Sequence, residues 1–187
     1  MTKAELINKA VAFANEAHKG QTRKGTDEAY ITHPMEVMSV MNAMGLASTD
    51  PNLVVAGLLH DVAEDTKFTL EDIRKEFGDD VASLVKAHTE NKDDTWKNRK
   101  QQLIDEMKTA DDRVKLLIMA DAMANLRSLY RDENKLGDEL WERFNAPKEE
   151  QCWYYSSVVE RLNVLGTYDY SALMYDEMVE LLHEVFK

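Results

Sequence analysis

The dipeptide His60–Asp61, followed closely by Glu64 and Asp65, places one imidazole and three carboxylates within six residues. These side chains come directly after residues 53–59, a run that is entirely apolar or glycine. On a continuous helix His60 and Glu64 would share a face, because residues four apart are neighbours on a helix surface. Burying charged groups costs free energy unless they are paired or bind a metal ion. The segment therefore predicts a metal site with a carboxylate pair beside it.

Two residues elsewhere in the chain are candidates for the same metal site. His33 directly precedes Pro34, which biases its backbone to an extended form before a helix. A histidine in such a place more often caps a helix, so only its combination with the other residues favours a ligand. Asp121 lies in a nearly continuous apolar stretch, where an unpaired carboxylate would be neutralised or destabilising. No base lies within one turn upstream of it and Asn125 follows at four residues, so a metal ion is its better partner.

A basic patch stands out on this acidic chain at residues 19–25, which include Arg23 and Lys24. Two interpretations of the patch stay open. The cations favour the C-terminal end of a helix, where the helix dipole is negative. Alternatively, they grip a phosphate group close to His33.

Other reactive side chains have simpler interpretations. His88 and His183 lack acidic partners at ligand spacing, so we expect surface or satisfied core positions for them, and a structural role for His18. The single cysteine, Cys152, excludes an intramolecular disulfide and is expected to be a small buried apolar residue. The aromatic residues 153–155 are expected to form core and pocket wall.

Composition limits the classes of partner. The 187 residues include 23 basic and 35 acidic side chains, which give a formal net charge of −12. An acidic surface argues against nucleic acid and anionic membranes as partners, because both attract cationic surfaces. It does not forbid a phosphate-bearing substrate, since a bound cation and a few local bases can reverse the field inside a cleft. Without a signal peptide or an apolar run of roughly 18 residues, we expect a soluble cytoplasmic protein.

The apolar periodicity is helical nearly everywhere, and only 7 Gly and 3 Pro interrupt it. Asp50 before Pro51 predicts a helix start, Thr69 with Asp72 a capping box, and Gly78 a helix end. We predict an all-α, single-domain helical bundle without an internal linker. The predicted helices cover residues 2–19, 34–45, 51–65, 69–77, 79–90, 95–108, 110–132, 138–145, 147–165 and 171–186, and residues 20–33 are the longest irregular segment.

The order of the candidate ligands follows a known pattern. His33, then His60–Asp61, then Asp121 resemble the ligand set of the HD-domain metal phosphohydrolases. The flanking residues resemble the hydrolase domain of the RelA/SpoT family more narrowly, at residues 18–25, 29–34, 56–66 and 77–85. The resemblance runs from about residue 10 to about residue 165, and helices within 147–186 are expected to pack on this core. We expect residues 1–187 to form one HD hydrolase domain of the stand-alone small alarmone hydrolase type.

The resemblance implies a manganese-dependent 3′-pyrophosphohydrolase acting on guanosine tetra- and pentaphosphate, (p)ppGpp. By position it implies that the metal is held by His33, His60, Asp61 and Asp121, and that Glu64 and Asp65 form the catalytic pair. It also implies that Arg23 and Lys24 contact phosphate and that the Asn125 amide lies near the ribose. Either Glu64 or Asp65 would accept a proton from the attacking water. Repulsion within that pair should raise the pKa of one of them.

The chain departs from the family at three places, which keeps alternatives open. Ala122 follows Asp121 where the family carries a base, Thr32 stands where Asn is common, and residues 86–91 differ. The substrate could therefore be another nucleotide, such as a nucleoside monophosphate or the 2′-phosphate of NADPH. A further interpretation is an HD domain that only binds a nucleotide. Fe²⁺, Zn²⁺ or Mg²⁺ are alternatives to Mn²⁺.

Overall fold

Helices provide all the regular secondary structure of this protein apart from one isolated β-bridge. The computed structural model describes residues 1–187 and contains no β-strand, only an isolated bridge between Thr22 and Ala29. The α-helices are α1 (Lys3–Ala17), α2 (Thr32–Ala43), α3 (Leu46–Thr49), α4 (Pro51–Leu59), α5 (Val62–Asp65), α6 (Leu70–Phe77), α7 (Asp79–His88), α8 (Trp96–Glu106), α9 (Asp112–Leu136), α10 (Lys148–Arg161) and α11 (Ala172–Val185). Two 3₁₀ helices are η1 (Gly137–Arg143) and η2 (Asn163–Thr167). The predicted all-α class is confirmed.

Helix α4 lies at the centre of the bundle. Its residues 53–59 are all buried, and it packs on α1, α2, α7 and α9. The start of α4 is as predicted, because the Asp50 side chain accepts a hydrogen bond from the Leu53 N–H at 3.1 Å and Pro51 occupies the first turn. The apolar α4 therefore places His60, which is itself buried, directly after its last turn.

The predicted helix over residues 51–65 is wrong in one respect, since it is interrupted at His60 and Asp61. Both residues keep right-handed helical dihedral angles, but regular hydrogen bonding stops at Leu59 and resumes in α5. In a continuous helix the Gly57 carbonyl would accept from the Asp61 N–H. Here His60 Nδ1 lies 2.8 Å from that carbonyl oxygen and takes its place. The break frees the segment from ideal helical geometry where the ionisable residues begin.

Helix α9 carries Asp121 through the core. The Asp111 side chain caps its start, and the helix packs against α2, α4, α7 and α11. It continues to Leu136, four residues beyond the predicted end, where Gly137 adopts a positive φ of 56°. The predicted helix at residues 138–145 is a 3₁₀ helix, and the predicted helix at 147–165 divides into α10 and η2.

The C-terminal helices pack on the rest of the bundle. Helix α10 contacts α8 and α9, and α11 contacts α9 and α10. One hydrophobic cluster runs from α1 to α11. None of the helices has both the length and the apolar character that crossing a membrane would require.

Candidate active site

Three side chains predicted as ligands converge from three separate elements. His33 comes from the first turn of α2, His60 follows α4, and Asp121 projects from the middle of α9. The two imidazole Nε2 atoms lie 3.3 Å apart, and Asp121 Oδ1 lies 3.1 Å from His33 Nε2 and 3.6 Å from His60 Nε2. One donor atom from each of the three residues lies within 4.8 Å of the others. This spacing suits a common cation.

Asp61 adds a second carboxylate to the same cluster. Its Oδ2 atom lies 3.1 Å from His60 Nε2 and 3.8 Å from His33 Nε2. The Tyr30 hydroxyl donates a hydrogen bond to that same oxygen, which holds the carboxylate in place. Tyr30 was not predicted to have a role, although it lies three residues before His33 in the motif.

The protonation of the cluster fits a divalent cation. Burial lowers the pKa of His33, although Asp121 opposes this effect, and a neutral imidazole is the form that binds metals. Burial also disfavours a charge on His60, but Asp61 and Asp121 outweigh it and raise the His60 pKa well above its usual value. A cation bound at this place would replace that proton as the partner of the two carboxylates. The contact between His60 Nδ1 and the Gly57 carbonyl leaves Nε2 as the ligand atom.

Glu64 and Asp65, the predicted catalytic pair, take different positions. Glu64 lines the cleft in front of the cluster, where its Oε2 accepts a hydrogen bond from the Glu90 N–H at 3.1 Å. Burial raises the pKa of Glu64, and the charges of Asp61 and Glu90 add to this effect. Asp65 lies outside the cleft lining and pairs with Lys92. The expected rise of one pKa therefore occurs, but burial and neighbours other than Asp65 cause it.

Two of the predicted substrate-binding residues connect to the cluster, Asn125 directly and Arg23 through Asn125. Asn125 donates from Nδ2 to Asp121 Oδ1 at 2.8 Å, and Arg23 donates from Nη2 to Asn125 Oδ1 at 3.3 Å. Arg23 and Asn125 line both the cluster cleft and a neighbouring cleft, whereas Lys24 lines only the neighbouring one. The basic patch thus lies where the two clefts meet, and Lys24 is turned away from the cluster.

The expectation for His88 is wrong. It does have an acidic partner, contributed by another helix: His88 Nε2 lies 3.4 Å from Asp121 Oδ2 and is buried without a hydrogen-bond partner. The His88 ring also lies edge-on to His60, with 5.1 Å between ring centroids. The expectation considered only acidic residues on the same helix as His88, and Asp121 lies on another helix. His183 is exposed and His18 is buried, where its Nδ1 contacts Gln21, as expected for these two. Cys152 is half-buried instead of buried.

Sequence reasoning also missed one wall of the cleft. Trp96, Arg99 and Lys100 from α8 line it together with Glu90. These three residues of α8 share the spacing i, i+3, i+4, which places them on one helical face. That pattern is visible in the sequence, but only the packing of α8 on α10 shows that the face borders the cluster.

Comparison with known proteins places this geometry in a family. The HD domain family profile matches residues 10–145. The chain belongs to the HD-domain family. The predicted resemblance to the RelA/SpoT hydrolase domain is also confirmed, because relatives of that kind match most of this HD-domain chain.

Three relatives describe the match. A "Guanosine-3′,5′-bis(diphosphate) 3′-pyrophosphohydrolase MESH1" of Xenopus tropicalis is 38% identical over 129 residues, which cover 68% of this chain and 72% of the relative. A GTP pyrophosphokinase of Streptomyces coelicolor is 33% identical over 187 residues, which cover 95% of this chain but only 21% of that longer protein. A solved structure described as a metazoan orthologue of SpoT that hydrolyses ppGpp superposes with a TM-score of 0.75 at 29% identity, covering 94% of both chains.

Proposed function

We propose that this HD-domain protein is a metal-dependent phosphohydrolase that removes the 3′-pyrophosphate of guanosine tetra- and pentaphosphate. One observation carries the proposal: His33, Asp61 and Asp121 of the cluster line a cleft that also contains Glu64 and Arg23, and the buried His60 contacts the carboxylates of Asp61 and Asp121. Ligands, a candidate base and a phosphate-binding cation therefore meet in one place. The substrate named for the relatives, guanosine 3′,5′-bis(diphosphate), suits such a cleft because it carries a pyrophosphate ester.

The cluster would hold one divalent cation through His33, His60, Asp61 and Asp121. The HD-domain family implies a divalent metal, and the mixed nitrogen and oxygen donors without a thiolate suit Mn²⁺, Fe²⁺ or Zn²⁺ better than Mg²⁺. We propose Mn²⁺. When bound, such an ion supplies a Lewis acid that offsets phosphoryl charge and makes water easier to deprotonate.

Glu64 is the residue that we assign to the proton transfer. It lines the cleft, and the burial that raises its pKa also makes its carboxylate a stronger base than an exposed glutamate. The hydrogen bond from the Glu90 N–H orients the carboxylate. Asp65 would act indirectly, through Lys92. Its ion pair with Lys92 holds the Lys92 ammonium 3.7 Å from Glu64 Oε1.

Arg23 and Asn125 would position the substrate between the two clefts. Arg23 can reach phosphate oxygens in the cluster cleft, while Asn125, already bonded to Asp121, offers an amide to a ribose hydroxyl. Lys24 and Arg143 line the neighbouring cleft together with Tyr155. This neighbouring cleft would take the nucleoside and its 5′-phosphates, so that the 3′-pyrophosphate points toward the cluster.

The test is the product of hydrolysis. Purified protein loaded with Mn²⁺ should convert ppGpp to GDP and pyrophosphate in equal amounts, and the Glu64→Gln variant should not. Orthophosphate as the first product, or no turnover by metal-loaded wild type, would overturn the proposed reaction. A parallel panel of a nucleoside monophosphate and NADPH tests the alternative substrates, and tight nucleotide binding without turnover would favour a binding domain.

One of the three departures that keep another nucleotide possible, the absence of a base at residue 122, does not affect the cleft. Ala122 is buried in the hydrophobic core and is not among the residues that line either cleft. The small side chain at this position therefore fills the core, and it does not leave the cleft without a base.

A further inference from the structure

Helix α8 presents Trp96, Arg99 and Lys100 to the cluster cleft on one face. We propose that Arg99 and Lys100 bind the terminal phosphate of the group that is cleaved, and so recognise a pyrophosphate in preference to a single phosphate. The inference rests on the proposed function for the reaction, but it makes its own claim about a binding site. It assigns this site to two residues that no motif of the sequence had marked.

The two bases are held in place before any ligand arrives. Glu90 pairs with both, at 3.0 Å from Oε2 to Arg99 Nη1 and at 2.5 Å from Oε1 to Lys100 Nζ. The side chains of Arg99 and Lys100 are about one-fifth exposed, at 20% and 21%. Lys100 Nζ also lies 4.7 Å from the centre of the Tyr154 ring. Two cations with restrained side chains lose little conformational freedom when they bind an anion.

Arg99 has unused hydrogen-bonding capacity at this wall. Its Nε atom is buried and has no hydrogen-bond partner, and its ion pair with Glu90 involves Nη1. A guanidinium carries five N–H donors in a planar fork that matches phosphate oxygens. A buried donor without a partner costs free energy, which a phosphate oxygen close to it would recover.

The charge balance along the cleft favours a diphosphate only when these two bases are present. Three cations, Arg23, Arg99 and Lys100, face four carboxylates, from Asp61, Glu64, Glu90 and Asp121, so the lining carries one excess negative charge. A divalent cation reverses the excess to one positive charge. Without Arg99 and Lys100 the excess would stay negative even with the metal bound, and nothing on this wall would offset the additional negative charge of a second phosphate.

The positions of the basic side chains indicate which phosphate each of them would contact. Arg23 lines both clefts and Lys24 only the neighbouring one, so the basic patch serves the side where the nucleoside is proposed to lie. Arg99 and Lys100 line the cluster cleft and not the neighbouring one. A single phosphate at the cluster needs only the metal and Arg23, whereas a second phosphate linked to it has Arg99 and Lys100 as its cationic partners.

Titration calorimetry with inorganic pyrophosphate and inorganic orthophosphate tests the inference. The protein carries stoichiometric Mn²⁺ without free ion, and its metal content is measured again after each titration. Arg99→Gln and Lys100→Gln should each raise the Kd for pyrophosphate about 10- to 100-fold, because each removes a charge-assisted hydrogen bond. The Kd for orthophosphate should change less than about threefold. Lys97→Gln is the matched control, since Lys97 lies on the same helix with 60% of its side chain exposed and pairs with Glu150.

An equal loss of affinity for pyrophosphate and for orthophosphate would overturn the inference, because it would indicate a general effect of charge. Unchanged pyrophosphate binding in the variants would also overturn it. Arg99→Lys keeps the charge beside Glu90 and serves if Arg99→Gln does not fold. It should weaken pyrophosphate binding several-fold through loss of the planar fork. If wild type fails to cleave ppGpp but still binds pyrophosphate through α8, the proposed reaction falls and this site stands. If ppGpp is cleaved while the α8 variants bind pyrophosphate normally, the proposed reaction stands and the inference about α8 falls.

Discussion

His88 Nε2 lies 3.4 Å from Asp121 Oδ2, while the other oxygen of Asp121 lies 3.1 Å from His33 Nε2. The carboxylate at the centre of the cluster is therefore flanked on both oxygens by imidazoles from two different helices, α7 and α2. Asn125 adds a hydrogen bond to Oδ1. Asp121 is thus held in one orientation by residues on three helices.

Replacement of His88 by Val should weaken Mn²⁺ binding about tenfold without changing the stoichiometry. Residues that orient a metal ligand typically contribute 10- to 100-fold to affinity, and His88 touches the Asp121 oxygen that faces away from His33. Calorimetric titration with Mn²⁺ measures the change. His183→Val, on the exposed side of α11, is the control and should bind Mn²⁺ as wild type does. An unchanged affinity in His88→Val would mean that His88 only lines the cleft.

Asp121→Asn should abolish the stabilisation that Mn²⁺ gives to the fold. At a Mn²⁺ concentration of about 100 times Kd, binding stabilises the native state by about 2.7 kcal/mol. For a domain of this size that corresponds to a rise in Tm of about 5–10 °C. Scanning calorimetry with and without Mn²⁺ should show this rise in wild type and in Glu64→Gln, and none in Asp121→Asn. A full rise in Asp121→Asn would exclude Asp121 from the ligand set.

Glu64→Gln and Asp65→Asn should differ in severity. Glu64 lines the cleft and is assigned as the base, so its loss should lower kcat for ppGpp by about 10²–10⁴-fold with metal content unchanged. Asp65 acts through Lys92, so its loss should lower kcat less than tenfold and leave Tm and Mn²⁺ binding as they are. Steady-state kinetics of the two variants measures this difference in kcat. Equal losses would mean that the two carboxylates work as one unit.

Arg113 should stabilise the fold in a pH-dependent way. Its guanidinium pairs with Asp50 at 2.7 Å and Asp80 at 2.7 Å, which joins the start of α4 to the first turn of α7. The hydrogen bond from Arg113 lowers the pKa of Asp80 to about 2 from its ordinary 3.8. Because the pair is partly exposed and screened, Arg113→Gln should cost only about 1 kcal/mol at pH 7.

The sign of the pH dependence follows from the lowered pKa of Asp80. A carboxyl whose pKa is lower in the folded state stabilises the fold above pH 3.8, and that stabilisation is lost as the pH falls toward 2. Urea unfolding of wild type and Arg113→Gln should therefore give curves that differ at pH 7 and converge as the pH approaches 2. A gap that widens on acidification would contradict this assignment.

Several features of the fold could be predicted because their signals are local. Asp50 with Pro51, and Thr69 with Asp72, cap helices through contacts within one turn, so neighbouring residues suffice to identify them. Asp121 was recognisable as unusual because a carboxylate in an apolar stretch must have a partner. The interruption at His60 was missed, since it depends on a side chain taking the backbone carbonyl of Gly57.

The periodicity of the sequence was enough for the helical class, and the types of its isolated polar residues were enough for the candidate ligands, because both depend on each segment's own composition. Packing alone decided which residues meet. It brought His88 to Asp121, turned Asp65 toward Lys92, and placed the α8 face with Arg99 beside the cluster. Such contacts join side chains far apart in the chain, and they form only when helices bury their apolar faces against one another.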